Sequence, residues 1–387
     1  VCLGVAAALV DEGVASIEDT DRGAKIGLRW AMGPFELMNR LGIDKTHAVV
    51  AEVVARYPDF SMPAILEKQK ALGTPFAFNF VDLEINDQIA TITLNRPEAM
   101  NALNEAVVAQ LEARFSEAEN DPDVKAIVFQ GAGKAFVAGA DIRYFVQNIK
   151  AAKIDQIVAF TRKGHELLLR IENSPKLTIA LLDGLSLGGG SELALACQAI
   201  VATPAGSMAF PETAIGIYPG LGGMLRMARH VGPELAKYFC FTGLPIKAQD
   251  AADLGIFTRL VSPAEVPTAV AELAADGPFD KYAPRQIPDR FSALAQTCSA
   301  ANAARLLSGQ APEGVDQALA AKTTKIVGFK APLALKIANE IIDAQQSKPM
   351  ADAVEVELSR LAEIFATADA LEGLSSAGPK RPEFKGR

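Results

Sequence analysis

The hydrophobic period of the chain changes between residues 72 and 81, and that change divides the sequence into two units of different kind. Before it, apolar side chains return every three or four residues. Leu3, Ala7 and Val10 share one helical face, and Val49, Val53 and Val54 repeat the spacing after a Gly-Ile-Asp break. Gly33-Pro34 ahead of Phe35, Leu37, Met38 and Leu41 fits a helix start, where the missing N–H of proline costs nothing. After the change, Val81, Leu83 and Ile85 alternate, Asn86-Asp87 supplies turn residues, and Ala90, Ile92 and Leu94 alternate again, the pattern of a hairpin. Gly73, Thr74 and Pro75 mark a linker. The expected organisation is a small all-helical domain over 1–78 and a larger domain over 79–387, with a core at 81–275 and a C-terminal helical region at 276–387.

Beyond the hairpin, Leu103, Val107, Leu111 and Phe115 recur at four-residue spacing, an amphipathic helix that Asn120-Asp121-Pro122 ends. Residues 126–129 read as a buried strand, 155–172 as a helix and Leu177–Leu182 as a second buried strand. Strand and helix signals in alternation predict an α/β layered domain whose strand-end loops carry the chemistry.

Composition removes several function classes. A net charge of −8 lacks the concentrated Lys and Arg that displace counterions from nucleic acid. Cys2, Cys197, Cys240 and Cys298 are scattered, with no C-x-x-C pair, so neither a disulfide framework nor a zinc site is indicated, and a reducing cytosol is the expected setting. His47, His165 and His230 lack metal-ligand spacing and read as structural; no metal is assigned. The apolar residues 1–10 are too short to span a bilayer and have no basic residues ahead of them, so no membrane partner is expected. They read as a helix cut from something longer.

Three segments can carry chemistry. Gly188-Gly189-Gly190 stands between an apolar strand and the run 193–196, where backbone can approach a ligand and helix N-terminal amides stay free. A tight turn with close helix–sheet packing explains the same triplet. Phe136-Val137-Ala138-Gly139-Ala140-Asp141-Ile142 offers small residues beside backbone N–H groups, or a glycine loop in which Asp141 caps the next helix. Glu192 and Glu212 are the acids of the set. Each alone reads equally as a dipole-complementing or loop carboxylate, but two partly desolvated carboxyls flanking an oxyanion loop can hold one proton and accept another.

Two resemblances rest on longer runs. Asp11-Glu12-Gly13-Val14-Ala15-Ser16, then Gly27 through Leu37, resembles the C-terminal helical domain of 3-hydroxyacyl-CoA dehydrogenases over residues 1–78. That family binds NAD through a glycine fingerprint in an N-terminal domain, and no G-x-G-x-x-G follows a strand here, so this chain is not expected to oxidise anything. Residues 81–387 resemble the crotonase, or enoyl-CoA hydratase/isomerase, superfamily. The carrying residues are Leu94-Asn95-Arg96-Pro97, Asn101-Ala102-Leu103, 136–142, 188–192, Phe210-Pro211-Glu212, Pro219-Gly220-Leu221-Gly222-Gly223 and Ala248-Gln249-Asp250-Ala251. The arrangement resembles the C-terminal part of a fused dehydrogenase and hydratase.

The second resemblance implies a crotonase-like α/β spiral of ββα repeats ending in helices that commonly build trimers, and a coenzyme A thioester substrate. It implies Glu192 and Glu212 as catalytic residues, the amides of Ala138 and Gly189 as the oxyanion hole, and the amide of Gly220 as the water-positioning group. Ala138, Gly139, Asp141 and Ile142 become the substrate-binding segment. The expected reaction is water addition to a 2-enoyl-CoA without a cofactor; an isomerase keeping one essential acid, or a non-catalytic assembly module, are the alternatives. Met224 and the run 375–379 depart from the usual family pattern, the stretch 276–328 is long, and Arg96, Lys134, Lys380 and Lys385 are candidates for the coenzyme A phosphates or plain surface charge.

Overall fold

The computed structural model describes residues 1–277, 279–283, 286–376 and 381–387. They form two units, Val1–Phe80 and Val81–Arg387.

In the first unit, helices Cys2–Asp11, Ile17–Gly27, Pro34–Leu41, Ile43–Arg56 and Ala64–Leu72 close over Ala7, Phe35, Met38, Val50 and Leu66. Gly33 starts the third helix without a side chain to cap it, and Asp21 takes that role. Its carboxylate accepts from Phe35 N (2.7 Å) and Glu36 N (2.9 Å), two of the donors a helix start leaves free. A Cβ at Gly33 would run into the Asp21 carboxyl group, so the glycine is what lets the cap approach. Gly42, at φ 85°, makes the break between the third and fourth helices.

The second unit begins with strands β1 (Val81–Asn86) and β2 (Ile89–Leu94), antiparallel with Val81 opposite Leu94. Asp87 and Gln88 turn the chain at φ 48° and 67°, the positive pair that matches strand twist in a two-residue hairpin. Strands then come in pairs: β3 (Ala126–Gly131) with β4 (Ala135–Ala138), β5 (Leu177–Leu182) with β6 (Leu185–Leu187), and β7 (Ala199–Ala202) with β8 (Ser207–Ala209). The first of each pair extends one sheet in parallel and the second builds another. With β9 (Ile246–Lys247) and β10 (Arg259–Leu260), the orders are β1-β2-β3-β5-β7-β10 and β4-β6-β8-β9. Helical chain follows each pair: Ile154–Glu172 after the first, Gly189–Ala196 after the second, Gly223–Val231 after the third. This is the repeating ββα turn that the resemblance implied. The inner strands are apolar along their length because both faces are covered.

One expected element is shorter than its periodicity. The helix runs Glu105–Asn120, and Leu103 lies outside it, because Asn104 caps the start by accepting from Val107 N at 2.9 Å. Leu103 instead bridges to Ala140. The stretch 276–328, which the sequence left without a role, contributes Lys281, whose Nζ donates to the carbonyls of Leu195, Ala196 and Cys197 at 2.7–3.2 Å. A cation therefore closes the C-terminal end of helix Gly189–Ala196, where the last carbonyls lack partners.

Candidate active site

Asn101 shows why the upstream loop has its sequence. Fully buried at φ 58°, a conformation asparagine tolerates, it donates through Nδ2 to the carbonyls of Ala132, Ala135 and Phe136 at 2.9–3.1 Å and accepts from Arg96 N. The clamp lays the chain around Met100 along β4. The carbonyl of Met100 then accepts the Ala138 amide at 3.0 Å.

That bond corrects the expected oxyanion hole: the Ala138 N–H is already engaged and has no proton to offer a ligand. Two residues on, Leu103 donates to Gly139 O (2.9 Å) and accepts from Asp141 N (2.7 Å), which leaves Ala140, the residue between, with its N–H directed to the opposite side. There it faces Gly189: a Cβ built on Gly189 would lie 3.8 Å from Ala140 N. Among the described residues neither the Ala140 nor the Gly189 amide has an acceptor. The donor pair is therefore Ala140 and Gly189. Sequence spacing missed it because the partners of individual amides along a strand are fixed by register, which only the fold supplies.

The glycine triplet serves both of its readings at once. Gly188 bends the chain at φ 46°, and a Cβ there would meet Glu212 Oε1. A Cβ at Gly190 would strike the carbonyl of Val137, so this glycine lets helix Gly189–Ala196 sit directly on β4. The helix N-terminus, with its free amides and positive dipole end, is thereby pressed against the cleft.

Glu192, in the first turn of that helix, accepts through Oε1 from Leu221 N (2.7 Å) and Gly223 N (2.9 Å). Glu212 starts a 3₁₀ turn, Glu212–Ile215, after β8, and its Oε2 is buried without a partner. Burial raises the pKa of Glu192 above the ordinary carboxyl range; the charges of Glu212 and Glu357 add to this, and the two amides oppose it. Burial likewise raises Glu212 to about 8. Carboxyls in such a pair cannot both ionise cheaply. The two N–H donors lower the cost of a negative charge on Glu192, a support that the partnerless Oε2 of Glu212 lacks.

Both acids line one cavity of about 140 Å³, together with Ala138, Gly139, Ala140, Ile142, Gly189 and Gly220. Its apolar wall includes Phe145, Phe160, Leu361 and Phe365, the last two from the C-terminal region. Asp141 is not among the lining residues. Its carboxylate accepts from Arg143 Nε (2.9 Å) and Nη2 (2.6 Å) and pairs with Arg96, and the Arg143 hydrogen bond holds its pKa below the ordinary range. Asp141 thus caps helix Ile142–Lys150 and ties down Arg96, one of the phosphate candidates. Met224 is buried and does not line the cavity, so this departure from the family pattern leaves the cavity wall unchanged. Lys380 and residues 377–379 lie outside the described residues.

Two residues near the site were not legible as functional. His165 and Glu357 are buried side by side against the loop 220–223, on helices Ile154–Glu172 and Met350–Leu358. Neither stands in a motif, and only the packing of distant helices brings them here. Burial pushes the thiols of Cys197 and Cys298 to about 12, so neither offers a nucleophile. Among the described residues no group of three or more His, Cys, Asp and Glu could hold a metal, and no helix is long and apolar enough to cross a membrane.

Residues 89–379 match the family model described as enoyl-CoA hydratase/isomerase, and residues 2–74 match that of the 3-hydroxyacyl-CoA dehydrogenase C-terminal domain. A short-chain-enoyl-CoA hydratase of Clostridium acetobutylicum is 38% identical over 51% of this chain and 74% of its own length. The peroxisomal fatty acid beta-oxidation multifunctional protein MFP2 of Arabidopsis thaliana is 37% identical over 49% of this chain and 26% of its own. The crystal structure of an enoyl-CoA hydratase from Rhodobacter sphaeroides superposes with a TM-score of 0.66 at 28% identity, covering 77% of this chain and 89% of that one. The chain belongs to the enoyl-CoA hydratase/isomerase family and carries ahead of that domain a region of the 3-hydroxyacyl-CoA dehydrogenase C-terminal domain.

Proposed function

We propose that the protein is an enoyl-CoA hydratase that adds water syn across the double bond of a 2-enoyl-CoA to give a 3-hydroxyacyl-CoA. The observation that carries this reading is the meeting of two buried carboxyls with different partners, Glu192 and Glu212, in a cavity edged by the unengaged amides of Ala140, Gly189 and Gly220. Water held between the acids and the Gly220 amide loses a proton to Glu192 as its oxygen bonds to the β carbon. The π pair moves toward the thioester, whose oxygen rests on the Ala140 and Gly189 amides, and collapses onto the α carbon as Glu212 delivers its proton there. The site resets when the proton on Glu192 returns to Glu212. One water is consumed, and no oxidant or reductant enters. Loss of a single oxyanion donor typically costs about 10²–10³ in rate, so the amide pair supplies a large part of the barrier lowering.

Hydratases among the relatives support the same reaction class. We assign no oxidation step to these residues, because no nucleotide-binding fingerprint follows a strand in them. A trimer built through the C-terminal helices belongs to the same reading, and sedimentation equilibrium tests it. The decisive assay follows loss of the conjugated thioester absorbance of crotonyl-CoA. Glu192→Gln and Glu212→Gln should each abolish it nearly completely; full turnover in both variants would refute the assigned roles, and conversion of a 3-enoyl-CoA with no hydration would make the protein an isomerase.

A further inference from the structure

Four consecutive amides form the loop that follows Pro219, and their acceptors divide them. Leu221 and Gly223 donate to Glu192, Gly222 donates to Glu357 Oε1 at 2.7 Å, and among the described residues Gly220 has no acceptor. The opposite edge of the loop is held too. His165 Nε2 lies 2.9 Å from Gly220 O and 3.2 Å from Glu357 Oε1. Both neighbours are acceptors, so that nitrogen carries the proton, which assigns the Nε2–H tautomer.

The geometry points to His165 and Glu357 as a positioning pair: together they fix the loop 220–223 from both sides, so that the Gly220 amide meets the water carried between Glu192 and Glu212. Glu357 grips the Gly222 N–H, His165 grips the carbonyl of Gly220, and the two side chains grip each other. The inference rests on the hydratase reading above and extends it to two residues remote from every motif.

A purely structural account fits these residues poorly. His165 and Glu357 are 1% and 0% exposed, and the buried atoms His165 Nδ1 and Glu357 Oε2 have no partner. Burying a carboxylate so incompletely satisfied recovers little stability compared with apolar side chains of the same volume. Glu357 also acts on the acids. Its charge raises the pKa of both Glu192 and Glu212: it keeps the proton on the acid Glu212 and makes the base Glu192 a stronger proton acceptor. The other groups around it are Arg226 from helix Gly223–Val231, Cys240 from helix Pro233–Thr242, and Tyr218, whose hydroxyl donates to the Glu357 carbonyl at 2.8 Å.

Glu357→Gln and Glu357→Ala separate the two contributions, because glutamine keeps an acceptor for Gly222 and loses the charge, whereas alanine loses both. Amide hydrogen exchange of the loop is read first, since it needs no activity. Glu357→Ala should accelerate exchange at 220–223 and leave the sheet strands protected; unchanged loop exchange overturns the pair. With crotonyl-CoA, Glu357→Ala should lower kcat about 10–100-fold with KM little changed, because a shift of the Gly220 amide approaching about 1 Å costs up to about a hundredfold. Glu357→Gln should keep most of kcat and move the alkaline limb of the kcat/KM profile to lower pH, because a charge that raises Glu212 has gone. A lower rate with an unmoved limb in Glu357→Gln overturns the electrostatic role. Glu355→Gln, on the same helix but facing solvent beside Arg162, is the control and should match wild type. If the wild-type protein hydrates nothing while Glu357→Ala still loosens the loop, the clamp stands and the hydratase assignment fails.

Discussion

Gly223 is the position where one added methyl group tests the site most directly. It opens helix Gly223–Val231 without positive φ, so an alanine there costs no backbone strain. Its Cβ, however, would stand 2.7 Å from Phe210 Cε1, 2.8 Å from Glu192 Cγ and 3.0 Å from Glu192 Oε1, where ordinary contact begins at 3.4 Å. Glu192 must therefore retreat by about half an ångström or the helix must lift, and both weaken the bonds that hold its carboxylate. A misplacement of about 1 Å costs about a hundredfold in rate, so this smaller shift should lower kcat on crotonyl-CoA about tenfold. Overpacking of a buried site should also remove about 1–3 kcal/mol of stability, read from the urea midpoint. Gly23→Ala supplies the comparison: it lies in helix Ile17–Gly27 with nothing within 4 Å of the new methyl, and should gain stability slightly with kcat unchanged. If Gly223→Ala turns over within twofold of wild type, Glu192 is not held as tightly as the reasoning requires.

Because Glu212 must be protonated and burial raises it to about 8, kcat/KM should fall as pH rises through that value, and Glu212→Asp should shift the limb; a profile flat to pH 10 would contradict the acid role. Glu172 responds to pH in the opposite sense. Burial raises it, but Arg226, Lys281 and the Tyr282 hydroxyl outweigh burial and hold it at about 2, against 4.5 when unpaired. A folded value below the unfolded one contributes stability that is complete above about pH 5 and disappears toward pH 2, about 3 kcal/mol in all. The stability gap between wild type and Glu172→Gln should close over that window in urea titrations. Arg226, 0% exposed and bonded to Glu172 at 2.8 Å, should cost about 3–5 kcal/mol when replaced by alanine, because Glu172 is left buried with less of its compensating charge. Calorimetry reads that loss as a lowered Tm.

Local signals carried much of this protein. The change of hydrophobic period near residue 80, the turn residues Asn86-Asp87 and the helix start at Gly33-Pro34 each fix backbone shape over a few residues, so they could be read directly from the order of side chains. The glycines at 188–190 and the acids Glu192 and Glu212 were legible for a related reason: each sits at the end of a strand or the start of a helix, where an α/β domain exposes its chemistry. What the sequence could not decide was which groups already have partners. The Ala138 amide and the Ala140 amide are indistinguishable in a string of letters, yet register gives one to Met100 and turns the other toward Gly189. His165 has no neighbour at metal-ligand spacing, and Glu357 stands in no motif. Chain separated by 192 residues brings them to 3.2 Å, because a hydrogen bond depends on distance in space and the fold alone sets that distance.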